Sequence, residues 1–278
     1  MPSSTDMISI DEARRHDHRS SLRHYRFLIR QLVRINLYTE FKRSLIGLSW
    51  LFILPLLAVA IWILLNGAGV VEPGDTGVPY PAYVLLSTSI WGFFADLYKT
   101  SSQIFVQNGK MLLMTPFPAD VFIVERVVVH LIRFSIPFAL NIGVLLFFGV
   151  SFDWPALLFL PSLLPLLLLG LAIGLLVGLL RIVALDLSKI ADEGIRLLMF
   201  LTPIVYAPRI QLGWLSDIVA LNPLTYLVGF SRDLLTQGTF YEPGRYFLCF
   251  GLTLVVFLLV LRIYRRGQSR ILERLINA

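Results

Sequence analysis

Neither lysine nor arginine occurs between Arg43 and Lys99, and charge is scarce throughout: 15% of the 278 residues are charged against 56% apolar, with a mean hydropathy of +0.75. That balance excludes an ordinary soluble domain. Cys249 is the sole cysteine and lies in an apolar stretch, so no disulfide framework, zinc cluster or CxxC redox pair forms within one chain. Residues 1–21 lack the apolar core and small-residue cleavage site of a signal peptide. No GxxxxGK[ST] loop is present, so this chain cannot cradle a nucleotide by that device. HExxH, GxSxG and paired aspartate motifs are missing too; His16, His18 and His24 sit in a basic tail and only His130 falls within an apolar span. No metal site is expected, and embedded hydrolase or prenyl-transferase chemistry is disfavoured. No internal repeat or inverted correspondence between halves is evident, unlike many secondary carriers.

What is present is a series of apolar runs flanked by basic residues. Residues 1–21 are polar and aperiodic and read as a mobile tail. Across 22–36, Arg23, Arg26, Arg30 and Arg34 recur at three- and four-residue steps while Leu22, Tyr25, Ile29, Leu32 and Val33 take another side. That pattern is an amphipathic helix, suited to the headgroup layer or, as a solvated basic helix, to a partner. Six spans follow, at about 49–65, 82–98, 121–150, 156–180, 197–206 and 246–264; the fifth is short and broken by Pro203. The stretch 207–245 is amphiphilic rather than spanning and falls outside. The expected organisation is therefore a tail (1–21), an interfacial segment (22–47), a transmembrane domain (48–264) and a basic tail (265–278).

Lysine and arginine alternate between connections. Nine lie in the N-terminal segment, none in the first return loop, two at 99–120, none in the turn near 151–155, three at 181–196 and five from Arg262 onward. The positive-inside rule puts the rich segments in the cytoplasm, and six spans put both termini there. The fold class is thus an all-α integral membrane protein with six transmembrane helices, an N-terminal interfacial helix and cytoplasmic termini. The net charge of +6 belongs to these flanks, so no nucleic-acid partner is expected.

Four ordered segments carry a resemblance. Phe41, Lys42, Arg43, Ser44, Leu45, Ile46, Gly47, Leu48, Ser49 and Trp50, followed by Leu54, Pro55 and Leu56, resemble the entry motif of type-2 ABC transporter permeases, and more narrowly of the O-antigen, capsule and teichoic-acid exporters. Residues 108–120, with Lys110, Pro116, Phe117, Pro118 and Asp120, resemble that family's cytoplasmic coupling loop. Asp186, Leu187 and Ser188, then residues 200–206, resemble its fifth-helix entry; residues 222–227 with Arg232, Asp233, Leu234 and Leu235 resemble its region before the last helix. The resemblance covers the chain from about Arg34 to its C-terminus. It implies a non-enzymatic permease subunit in the inner membrane, multi-pass, that homodimerises and docks two copies of an ABC ATP-binding subunit. ATP and magnesium would bind the partner, no cofactor would bind this chain, and the cargo would be a lipid-linked polysaccharide. A drug or small-lipid efflux permease of the same superfamily, a transferase acting on lipid-linked sugar, and a membrane scaffold are the alternatives.

Candidate working residues follow. Arg126, His130 and Arg133 share a face of span three; cations there turn toward a bundle interior or pathway. They meet either a substrate diphosphate or structural partners among Glu125, Asp96 and Asp192. Trp91, Phe94 and Tyr98 share a face of span two and, with Tyr83, offer rings along which a sugar chain could slide, or they belong to an aromatic belt. Gly170, Gly174 and Gly178 form a small-residue stripe for packing within the subunit or for dimerisation. Lys110, Met111, Leu112, Pro116, Phe117 and Pro118 are the coupling element or a plain connector, and Arg34, Phe41, Lys42, Arg43, Gly47 and Trp50 form the interfacial entry.

Overall fold

The computed structural model describes residues 25–38, 49–114, 120–207 and 213–276, and among them only helices and turns occur. Phe41, Lys42, Arg43, Gly47, Pro116, Phe117 and Pro118 lie outside the described residues, as does the 1–21 tail. Helix α1 (25–38) presents Tyr25, Leu28, Ile29, Leu32, Val33 and Asn36 to the body and exposes Arg26, Arg30 and Arg34, the amphipathic arrangement its spacing predicts.

Next come α2 (Trp50–Gly67), α3 (Tyr80–Ser102), α4 (Ile104–Met114) and α5 (Asp120–Phe147). Trp50 opens α2, and Lys110, Met111 and Leu112 fall in the last turns of α4. A single 3-10 turn (Trp154–Leu158) leads into α6 (Phe159–Ser162) and α7 (Leu164–Val183), followed by α8 (Leu185–Leu198), α9 (Gly213–Leu221), α10 (Pro223–Thr236) and α11 (Pro243–Ile276). Among the described residues, three stretches are long and apolar enough to cross a membrane: Asp120–Phe147, Trp154–Val183 and Pro243–Arg266. The protein is thus an all-α membrane protein.

Helix α3 is the central post. It packs on α7, α5 and α2, and α11 closes over α7. Glycines explain the tightest of these contacts. A Cβ on Gly170 would stand 2.7 Å from the Phe94 carbonyl oxygen, and one on Gly174 would stand 2.6 Å from that of Tyr98 and 2.7 Å from Ser101 Cβ. The small-residue stripe therefore lets α7 sit on α3 within one subunit. Helix α2, by contrast, turns Phe52, Leu56, Leu57, Ile61 and Leu64 outward, and only Val59 among its described side chains is buried.

At three places the described helices depart from or refine the sequence-based reading. Residues 197–206 do not form a helical span. Helix α8 stops at Leu198, and Phe200, Leu201 and Thr202 donate only to the carbonyls three residues back, a tightening that precedes Pro203, which has no N–H to continue the ladder. The helix of this region lies earlier, at 185–198. Within 207–245, α10 is buried from Leu224 to Thr236, so its polar residues turn inward to specific partners. The basic tail also extends α11 as far as Ile276 instead of leaving it.

Candidate functional site

In an apolar bundle, polar side chains are costly unless paired, so their positions mark where the fold does something other than fill space. Three clusters stand out. The first follows α5 from the end where α1 docks. Glu125, 1% exposed, accepts a hydrogen bond from Asn36 Nδ2 of α1 at 2.6 Å. Its neighbour Arg126 places Nε 3.5 Å from Glu125 Oε2 and donates from Nη2 to Gln107 Oε1 of α4 at 2.6 Å. One turn on, His130 is buried with its ring 4.6 Å from that of Phe93. Asp96 of α3 lies within electrostatic reach of Lys99 and Arg133. Deeper still, Asn141 Nδ2 bridges Ser89 Oγ at 2.8 Å and the Pro137 carbonyl at 2.7 Å. A polar seam thus runs between α5 and the α3–α4 pair.

At the same end α5 is tied to α11 beside the start of α1. Asp120, which opens α5, is 3.3 Å from Arg265 of α11. Tyr25 sits beside them; partial burial and the nearby Asp120 carboxylate raise its hydroxyl above the usual tyrosine value. Asp120, on the C-terminal side of 115–119, is therefore tied to α11 and lies within electrostatic reach of Tyr25 on α1.

The second cluster joins α3, α7 and α8. Arg181 Nη2 donates to both carboxylate oxygens of Asp192 at 2.9 Å, and Tyr98 donates its hydroxyl to Asp192 Oδ1 at 2.6 Å.

The third lies at the opposite end. Arg232 on α10, 2% exposed, pairs its Nε with Asp233 Oδ1 at 2.9 Å and donates from Nη1 to the Tyr83 hydroxyl at 2.7 Å and the Pro203 carbonyl at 3.0 Å. Its guanidinium also stands 4.5 Å above the Tyr83 ring. Tyr83 in turn donates to the Tyr206 carbonyl, and Tyr80 to that of Val205. Asn222 caps α10 through the Leu224 N–H and ties it to Leu201 O and Thr202 Oγ1. The helix-free segment 199–207 is thereby held by α3 and α10. Below it an apolar hollow of about 320 Å³ is lined by Phe94, Ile173, Leu198, Leu201, Ile218 and Leu221, among others.

Buried polar seams and a pinned, helix-free segment set this bundle apart from a purely apolar one, and comparison with known proteins gives it a context. A permease protein of the O-antigen export system (RfbA) from Klebsiella pneumoniae is 25% identical over 206 residues, 73% of this chain and 78% of the relative. The Myxococcus xanthus protein of the same name is 26% identical over 226 residues, covering 78% and 82%. A further Klebsiella pneumoniae RfbA is 26% identical over 227 residues, covering 79% and 85%. The chain is similar to O-antigen export permeases. No protein-family model matches it.

Against that background the sequence candidates distribute as follows. Arg126 contacts Glu125 and Gln107, His130 packs on Phe93, and Arg133 is half-buried on the same helix. Phe94 and Tyr98 are buried, with their backbone carbonyls against the α7 glycines, and Trp91 packs edge-on to Phe94 at 5.4 Å. Tyr83 belongs to the Arg232 cluster, and Arg34 is exposed on α1. Sequence reasoning gave Arg181 and Arg232 no role of their own. The signal for Arg232 was present, since an Arg-Asp pair between Leu-rich flanks has to be buried or paired, whereas the pairing of Arg181 with Asp192 depends on how α8 folds back on α7.

Proposed function

We propose that this chain is the membrane permease subunit of an ABC exporter that carries a lipid-linked polysaccharide from the cytoplasm across the cell inner membrane, driven by a separate ATP-binding subunit. The observation that carries this reading is the similarity along 73–79% of the chain to three O-antigen export permeases. Six crossings are assigned: α2, α3, α5, α6 with α7, α8 with the turns after it, and α11. The functional unit is a homodimer with two ATPase copies. Both termini and the 99–120 and 181–196 connections face the cytoplasm, where lysine and arginine concentrate.

The physical division of labour is direct. A polysaccharide diphosphate is anionic and hydrated, so it needs cations in its path; Arg126 and Arg133 supply them along one face of α5, and the His130 ring between them adds a hydrogen-bonding group. Lys110, Met111, Leu112, Pro116, Phe117 and Pro118 form the docking element. A push there reaches α5 through Asp120 and α11 through the Asp120 to Arg265 pair. The segment with Arg34, Phe41, Lys42, Arg43, Gly47 and Trp50 holds the entry at headgroup level.

The test is export in cells lacking the chromosomal copy. Arg126→Gln or Arg133→Gln should abolish surface glycan while membrane abundance and ATPase association remain normal. Normal export by both variants would remove the seam from the pathway.

A further inference from the structure

Helix α7 ends at Val183 and α8 begins at Leu185; the residue between them, Ala184, has an extended backbone with φ −148° and ψ 87°. The backbone leaves helical geometry at this one residue, although its N–H still reaches the Leu180 carbonyl, so the direction of α8 is not inherited from α7. Side chains set it instead. One carboxylate, that of Asp192 two turns into α8, collects Arg181 from the last turn of α7 and Tyr98 from α3. The same Arg181 nitrogen lies 3.2 Å from Ser102 Oγ, the last residue of α3. Charge-assisted bonds of this kind are the strong ones, here in a half-buried setting where the Arg181 side chain is 15% exposed and that of Asp192 37%.

The opposite face of α8 makes this orientation consequential. Asp186 pairs with Lys189 at 3.6 Å and Glu193 pairs with Arg196, all four exposed, while Ser188 is fully buried and Ile195 and Leu198 pack on the core. A half-turn about the helix axis would exchange a charged face for an apolar one. In a bilayer the charged face must look onto water or protein, not lipid. Holding α8 in one rotation therefore decides where four charges point.

We propose that Tyr98, Arg181 and Asp192 form a positioning latch that holds α8, hinged at Ala184, with its charged face toward the export path, and that the latch opens when α8 rearranges during export. The latch stands on the geometry alone; its link to export rests on the exporter reading.

The experiment is amide hydrogen exchange on the full chain in lipid nanodiscs, followed helix by helix. Asp192→Asn keeps the shape and removes the charge. It should speed exchange across residues 186–198 by about 10-fold or more while α3, α7 and α11 keep wild-type rates. Asp192→Glu should remain within about 3-fold of wild type, and the reversed pair Arg181→Asp with Asp192→Arg should recover most of the protection. Unchanged α8 exchange in Asp192→Asn would overturn the latch. So would a rise shared equally by all four helices, which would mark general destabilisation. In parallel, glycan export should fall at least several-fold for Asp192→Asn and persist for Asp192→Glu. If the wild-type chain itself exports no glycan, the exporter reading fails while the exchange result still judges the latch.

Discussion

Replacing Gly174 by alanine adds a single methyl group at the closest approach of α7 to α3. The new Cβ would lie 2.6 Å from the Tyr98 carbonyl oxygen and 2.7 Å from Ser101 Cβ. Both belong to the rigid part of the neighbouring helix, so no side chain can swing aside and the helices must separate. Overpacking of this kind costs about 1–3 kcal/mol and occasionally more, against about 1 kcal/mol gained from the better helix propensity of alanine. The net is a loss. Gly170→Ala meets the Phe94 carbonyl at 2.7 Å and should behave alike, whereas Gly178→Ala approaches Ser102 O only to 3.2 Å and should come close to balance. Gly143 on α5 has nothing within 4 Å of such a Cβ, so Gly143→Ala should gain stability. Melting of the purified chain in lipid nanodiscs should therefore rank Gly143→Ala above wild type, Gly178→Ala near it, and Gly170→Ala and Gly174→Ala below it. The spacing should be roughly 2–4 °C per kcal/mol for a chain of this size. A Gly174→Ala protein that melts with or above Gly143→Ala would refute the intrasubunit packing of α7 on α3.

Three further outcomes follow from the buried polar clusters. Arg232→Met strands Asp233, 8% exposed, beside the segment 199–207, and should lower thermal stability by about 3–5 kcal/mol; adding Asp233→Leu should restore part of that loss. Asn222→Ala removes the α10 cap and two ties to Leu201 and Thr202 and should cost about 1–2 kcal/mol, read by the same melt. Asn36→Ala leaves the buried Glu125 short of a donor, so residues 25–38 should exchange amide hydrogens faster while α3 and α7 do not, by mass spectrometry.

The parts of the fold that repeat at helical spacing were legible in the sequence. The amphipathic face of α1, the glycine stripe of α7 and the long apolar helices follow from periodicity, which survives burial in lipid as well as in a protein core. Hydropathy alone favours a helix at 197–206, whereas the helix of that region occupies 185–198, where charges on one face dilute the apolar signal on the other. Helix α10 read as amphiphilic because Ser231, Arg232, Asp233 and Thr236 are polar; their burial depends on Ser162, Tyr83 and Pro203, far away in the chain. The same limit applies to the candidate site. Arg126, His130 and Arg133 were found as a helical stripe, but the carboxylate held by Arg181 and Tyr98 joins three elements that only the folded chain brings together.

The central claim is that this chain carries a lipid-linked glycan under the power of a separate ATPase. Its most direct test is to purify the chain with a candidate ABC ATP-binding protein from the same genome, reconstitute the pair in lipid vesicles and measure ATP hydrolysis with and without lipid-linked polysaccharide. Co-purification as a stable complex and hydrolysis stimulated by the glycan, abolished by Arg126→Gln, are the expected results. A chain that forms no complex with that ATPase, or a complex whose hydrolysis ignores the glycan and responds instead to small hydrophobic drugs, would contradict it.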